Sequence, residues 1–67
     1  MEVVDPSSQL VAGKTYRMTA TSAMGLTVAT GVFKYYNAEG LPTFTSETMG
    51  EVCYNPANGW TFTCITP

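Results

Sequence analysis

The chain has 67 residues, of which 45% are hydrophobic and only 12% are charged, and its formal net charge is −2. A chain this short buries only about 60% of the surface that its unfolded form exposes, so it forms one small domain with a thin margin of stability. Three basic side chains are too few to neutralise the phosphates that dominate duplex binding, and no apolar run approaches the roughly 18 residues of a membrane-spanning helix.

Residues 1–13 are predicted to form an N-terminal arm or one short helical turn. In "DPSSQLVAG", Asp5 suits an N-cap, Pro6 suits the first helical position and Gly13 suits the end of the turn. An irregular arm fits the same residues equally well. The opening letters, "MEVVDPSS", lack the basic and apolar regions of a signal peptide, so we expect a cytoplasmic or virion-associated protein.

Residues 14–67 are predicted to form a single small β domain, because alternation with a period of two dominates this part of the sequence. In "TYRMTAT", Tyr16, Met18 and Ala20 point to one face and the intervening Thr and Arg residues point to the other. This is the pattern of a half-buried strand. "SAMG" then predicts a turn that ends at Gly25.

The segment "LTVATGVFKYY" predicts a long strand with an irregularity at Gly31. Leu26 and Val28 share one parity along the chain, whereas Phe33 and Tyr35 share the other. A glycine at such a change of phase predicts a β-bulge or a sharp bend.

The remaining segments complete a meander. "NAEG" predicts a connection, and Pro42 places the next strand at an edge of the sheet or restricts it to its later residues. The last segment predicts a hairpin in which "EVCY" pairs with "WTFTCI" across "NPANG", with Tyr54 opposite Trp60. The predicted fold is all-β: an antiparallel meander of about five strands, forming a strongly bent sheet or a partly open barrel of SH3 or OB size.

The predicted hairpin decides how Cys53 and Cys64 are interpreted. The register that segregates apolar from polar side chains puts the two cysteines on opposite faces, about 10 Å apart along the ladder. A disulfide spans less than about 7 Å between Cα atoms, so both thiols are expected to be free. We expect Cys64 to be buried and Cys53 to be partly exposed.

No catalytic, metal or cofactor site is predicted. Zinc needs a full set of Cys or His ligands, and the chain has two cysteines and no histidine. Lys14 in "AGKT" resembles the end of a phosphate-binding loop, but Ser8 stands where the first glycine belongs. Glu39, Glu47 and Glu51 lie in or beside turns, and no spacing brings two of them together. We therefore expect a protein that is not an enzyme, needs no cofactor and acts on no small-molecule substrate.

The stretch "VFKYYN" is the candidate partner-binding surface. Adjacent Tyr35 and Tyr36 cannot both face the core, so at least one ring is exposed, and Lys34 lies beside them. Tyrosine and arginine are enriched at protein interfaces. The candidate contact residues are Arg17, Phe33, Lys34, Tyr35, Tyr36 and Pro42.

Two functions fit this surface. The leading hypothesis is a non-catalytic protein-interaction module that binds a protein partner or self-associates as an oligomer. The alternative is an OB-like domain that binds single-stranded nucleic acid, in which bases stack on aromatic rings beside cations. It would use Tyr16, Tyr35, Tyr36, Arg17 and Lys34. The net charge of −2 opposes a polyanion, so nucleic acid is the less favoured partner.

The composition as a whole resembles that of small phage virion or accessory proteins. The chain is very short, rich in Thr and Gly, free of His and poor in charge. No specific residue carries this resemblance. It implies either decoration of a larger assembly or binding and blocking of a host protein.

Overall fold

The chain folds into an open antiparallel sheet of six strands, ordered β1-β6-β2-β3-β4-β5. A computed structural model describes residues 2–66. The elements are β1 (Val3–Asp5), β2 (Thr15–Ser22), β3 (Gly25–Tyr36), β4 (Pro42–Ser46), β5 (Gly50–Cys53), a 3-10 helix (Pro56–Asn58) and β6 (Thr61–Cys64). This architecture confirms the predicted class of small all-β domain. Within residues 2–66, no helix is long and apolar enough to cross a membrane.

The core lies on the inner face of the sheet and consists mainly of aromatic rings. The alternation predicted for β2 is present: Tyr16 and Met18 are fully buried, while Thr15 and Arg17 on the opposite face stay partly exposed. Rings from β2, β3, β4 and β6 meet here, most of them edge to face. Such pairs stabilise a core beyond the area that they bury. The buried apolar side chains are Leu10, Tyr16, Met18, Phe33, Phe44, Phe62 and Cys64.

Strand β3 is the longest strand and changes partner along its length. Residues 25–32 pair with β2, and residues 32–36 pair with β4. Gly31 lies at this change of partner. A Cβ atom there would come within 3.0 Å of the Thr45 carbonyl oxygen and 3.1 Å of the Phe44 Cβ. The close approach of β4 therefore favours glycine at this position.

The bulge predicted at Gly31 is wrong in position. Pairing with β2 runs through Gly31 without a shift. The register of β3 shifts instead between Phe33 and Tyr35, at Lys34. The apolar side chains in the first half of β3 point outward, whereas Phe33 points to the core. This difference, and not a shift in backbone register, explains the change in the apolar pattern near Gly31.

The predicted hairpin between the last two strands is wrong. Strand β5 pairs with β4, whereas β6 inserts between β1 and β2 on the other side of the sheet. The connection carries the 3-10 helix, which the Asn55 side chain caps and which ends at Gly59 with a φ of 89°. Tyr54 and Trp60 flank this connection and still meet, with ring centroids 4.8 Å apart. The residues of "NPANG" correctly indicate a tight connection. Whether the two strands on either side of it pair with each other depends on contacts with strands distant in sequence.

The expectation that Pro42 marks an edge strand is also wrong. Strand β4 begins at Pro42 itself and lies between β3 and β5. The first position of a strand tolerates a proline even inside a sheet, because that position can do without an N–H donor to the ladder. The two outermost strands are β1 and β5.

The N-terminal segment contributes a strand that the sequence pattern did not reveal. Val3–Asp5 pair with β6. A turn follows, in which the Gln9 amide donates to the Pro6 carbonyl oxygen, and no helical turn forms in this segment. Leu10 is buried in the core. The segment is therefore irregular beyond β1 and packs against the rest of the domain.

Candidate interaction surface

A row of β3 side chains runs along the outer face of the sheet. Leu26, Val28, Thr30 and Val32 alternate with residues on the core side, so their side chains point outward. The exposed fractions are 64% for Leu26, 53% for Val28 and 36% for Val32. Tyr35, which is 46% exposed, continues the row. We call Leu26, Val28, Thr30, Val32 and Tyr35 the β3 outer row.

The bulge at Lys34 brings Tyr35 onto the same face as Val32. Side chains alternate along a strand, so residues 32 and 35 would otherwise face opposite sides. The register shows the result: Val32 pairs with Thr45, and Tyr35 pairs with Thr43, two positions away on β4. Bulges commonly redirect a side chain in this way. Here the bulge makes the outer row continuous.

Tyr36 faces the core side and fastens the N-terminal segment. Its ring lies edge-on to Phe33, with centroids 5.0 Å apart. Its hydroxyl donates to the Ser7 carbonyl oxygen at 2.8 Å and accepts from the Leu10 amide at 2.9 Å. The polar group of Tyr36 is thus used within the chain, and the residue has a structural role.

Two of the predicted contact residues lie in the interior. Phe33 is 3% exposed, and its ring lies 5.4 Å from that of Phe44. Pro42 is less than 2% exposed. Neither side chain is available to a partner, since both are covered by the rest of the core. This corrects the predicted contact set.

Arg17 lies on the outer face but is engaged by Glu2. Its Nη1 donates to Glu2 Oε2 at 3.2 Å, and its Nη2 forms an ion pair with Oε1. This hydrogen bond, followed by the attraction between the two charges, lowers the pKa of Glu2 from its usual 4.5. Lys34 is exposed and lies four residues beyond Thr30, the β3 partner of Arg17, or about 14 Å along the strand. The two predicted cations therefore do not converge.

Tyr35 is held in place by an acid. Its hydroxyl donates to Glu51 Oε1 at 2.7 Å. That hydrogen bond, with the carboxylate charge as the second cause, raises the pKa of Tyr35 above its usual 10.0. Glu51 lies on β5 and Tyr35 on β3, so their contact crosses over β4. The exposed ring is therefore held in one orientation, and it has a negative charge beside it.

A depression of about 440 Å³ adjoins the outer row where β3 passes from β2 to β4. Five of its eight lining residues are threonine or serine. One of them, Thr45 Oγ1, is buried and has no hydrogen-bond partner among the described residues. The lining residues are Thr15, Thr30, Gly31, Val32, Thr45, Ser46, Glu47 and Thr48.

The two cysteines differ in exposure. Cys53 is exposed and Cys64 is buried, and both are free thiols. Cys53 Sγ accepts from Asn37 Nδ2 at 3.3 Å and lies 3.4 Å from Thr43 Oγ1. Among the described residues, no group of three or more His, Cys, Asp or Glu could hold a metal ion.

Comparison with protein-family models, with curated proteins and with solved structures finds no match to this chain.

The apolar half of the outer row was not among the residues predicted from the sequence. The sequence predicts Leu26 and Val28 only as part of a long strand, and Met24, which is 98% exposed, only as part of a turn. A signal was present: no residue between Arg17 and Lys34 is charged. Apolar side chains lie on both faces of this uncharged hairpin, and only one face can be turned to the core. The other apolar face is therefore exposed.

Proposed function

We propose that this protein is a non-catalytic protein-interaction module that binds its partner through the β3 outer row. The observation that carries the proposal is the continuity of this row along the longest strand, from Leu26 to Tyr35. Single exposed apolar side chains are normal on any protein. A contiguous exposed row with a polar surround is typical of an interaction site.

The chemistry of the row also suits a protein partner. Its first half is aliphatic, and its far end carries a tyrosine, one of the residues that most often dominates binding energy at interfaces. The hydrogen bond to Glu51 fixes the Tyr35 ring in advance, so binding loses less side-chain entropy. The compositional resemblance to phage virion and accessory proteins adds two partner classes to the proposal: a component of a larger assembly, or a host protein.

The alternative of single-strand nucleic-acid binding finds less support. Of the residues it would use, Tyr16 is 0% exposed, Arg17 is paired with Glu2, and Tyr35 bonds to a carboxylate. An anisotropy titration with a single-stranded oligonucleotide at physiological salt should therefore detect no binding. Micromolar affinity with a steep dependence on salt would favour the alternative.

The test begins with a partner that is captured on the immobilised protein and identified by mass spectrometry. That partner is then purified for binding measurements. Titration calorimetry compares the wild type with Leu26→Ser/Tyr35→Ser, which removes both ends of the row. We expect at least a tenfold loss of affinity, as truncation of interface anchors produces. Thr19→Ser/Thr61→Ser is the matched control on neighbouring strands and should bind as the wild type does. Equal affinity in all three proteins would contradict the proposal.

A further inference from the structure

Residues 25–30 of β3 have a neighbouring strand on one side only. Strand β2 pairs with all of them, whereas β4 approaches closely at Gly31 and pairs with β3 from Val32 onward. Within the described part of the chain, no strand pairs with this segment on the β4 side. Backbone groups alternate in direction along a strand, so about half of the N–H and C=O groups of the segment point to the open side.

Exposed sheet edges are usually protected from pairing by a short edge strand, a charged side chain, a proline or a bulge. This open edge has none of these features. Strand β1 has only three residues, and β5 has four and carries Glu51. Residues 25–30, by contrast, contain no charge, no proline and no register shift. The absence of charge extends from Arg17 to Lys34. The longest open edge of the sheet is thus the one that is free to pair.

We propose that this edge pairs with the same edge of a second copy of the chain, so that two β3 strands run antiparallel about a two-fold axis at Val28. The inference rests on the proposed function, because it names the partner of the same strand. It joins two sheets into one through backbone hydrogen bonds, the mode of recognition called β-augmentation.

The sequence of the segment matches itself in this register. "LTVAT" places Leu26 of one copy opposite Thr30 of the other, and Thr27 opposite Ala29. Val28 of each copy faces Val28 of the other. Identical charges that meet across a two-fold axis repel each other, and this segment has none to bring together. The pairing ends at Thr30, before the close approach of β4 at Gly31, so no existing ladder has to break.

Sedimentation equilibrium over a hundredfold range of concentration tests the pairing. We expect a species of twice the 7.2 kDa chain mass and a melting temperature that rises with concentration. Val28→Lys places two like charges opposite each other and should weaken the dimer at least tenfold. Thr61→Lys, at an exposed outer-face position of β6, is the matched control and should leave the dimer intact.

Cysteine cross-linking tests the register. In a Cys53→Ser background, Val28→Cys should form a covalent dimer under mild oxidation, because residues opposite each other across an antiparallel pair lie within disulfide reach. Leu26→Cys should not, since two copies of residue 26 lie four ladder positions apart, or about 14 Å. Equal cross-linking of both variants would overturn the register.

The outcomes separate this inference from the proposed function. A monomer at every concentration, or a dimer that survives Val28→Lys, overturns the self-pairing. If the Leu26→Ser/Tyr35→Ser variant nevertheless loses affinity for a different protein, the proposed function stands without the self-pairing. A dimer that Val28→Lys dissociates, and that Val28→Cys but not Leu26→Cys cross-links, supports the inference.

Discussion

The Phe44 ring on β4 stacks against the Phe62 ring on β6, with centroids 5.6 Å apart and an interplanar angle of 11°. Strands β2 and β3 lie between these two strands in the sheet. In a flat sheet, three strand spacings would separate them by about 14 Å. The contact therefore requires the sheet to bend strongly, and the bend encloses the core. Phe44 lies at the centre, since its ring also meets those of Tyr16, Phe33 and Tyr54.

A double-mutant cycle should detect this contact as an interaction energy. We expect Phe44→Leu and Phe62→Leu to couple by about 0.5–1.5 kcal/mol, the usual strength of an aromatic pair beyond its area. Urea unfolding of the two single variants and the double variant measures the coupling. Phe33→Leu with Phe62→Leu is the control, because these two rings form no aromatic pair among the described residues. Additive effects of the Phe44 and Phe62 substitutions would contradict the contact between these two rings.

Gly31→Ala should destabilise the protein by about 1–3 kcal/mol, as overpacking in a filled interior does. The added methyl group would meet the Thr45 carbonyl oxygen at 3.0 Å, and a backbone atom cannot move aside as a side chain can. Thr30→Ser, at the next position and exposed, should change stability by less than about 0.5 kcal/mol. Chemical denaturation of both variants measures the difference. Equal stability would mean that β4 does not need glycine to approach β3.

The fold class could be predicted because it depends on local pattern. The alternation of Tyr16 and Met18 with polar residues identified β2 and its buried face. The last two strands show the limit of such reasoning. Strand β6 pairs with β1 and β2, and pairing between distant segments leaves no periodic trace in the sequence. The nearest apolar run, β5, was therefore chosen as its partner, and that choice was wrong.

The candidate site could be predicted only in part, because the sequence does not show which face of a strand is turned to the core. Tyr35 is exposed on the outer face, but Phe33 and Pro42 fill the core. Leu26 and Val28, which the sequence did not single out as a binding surface, are apolar and exposed. Apolar residues are often exposed, and the phase of a strand becomes known only when its partners are known. The bulge at Lys34 changes the face to which the following side chains point, and no glycine marks it in the sequence.

Tyr16→Phe should loosen the N-terminal loop. The Tyr16 hydroxyl accepts from the Val11 amide at 2.9 Å and donates to Asp5 Oδ2 at 3.1 Å. Loss of the hydroxyl leaves both groups without this partner, so we expect a cost of about 1–3 kcal/mol and faster hydrogen exchange at Val11. Tyr36→Phe is the matched variant, because its hydroxyl accepts from Leu10 instead. Exchange at Leu10 should accelerate in that variant. Unchanged exchange at both amides would contradict the role of the two hydroxyls.

Stability should fall at alkaline pH, and Tyr16 should contribute to the fall. Burial is the largest cause and raises the pKa of Tyr16 above its usual 10.0. The Val11 hydrogen bond comes second and lowers the pKa, and the hydrogen bond and charge of Asp5 then raise it. A raised pKa means that the folded state holds the proton more tightly than the unfolded state. The contribution to stability is therefore complete below pH about 10 and is lost as the pH rises through the pKa of the folded protein. Unfolding free energies measured from pH 8 to 12 should decrease less steeply in Tyr16→Phe than in the wild type. Parallel curves would show that Tyr16 has no part in the loss.

The two thiols should differ in rate of reaction rather than in redox state. After denaturation without reductant, titration with a thiol reagent should give two thiols per chain, since both cysteines are free. In the native protein, Cys53 should react quickly because it is exposed, whereas Cys64, 8% exposed and packed in the core, should react only when the domain opens. Cys53→Ser should therefore remove the fast phase and leave the slow one. The slow rate should then increase in Gly31→Ala, because a less stable domain opens more often. Absence of thiols in the denatured monomer would contradict the separation of the two residues in the sheet, and a fast reaction of Cys64 would contradict its place in the core.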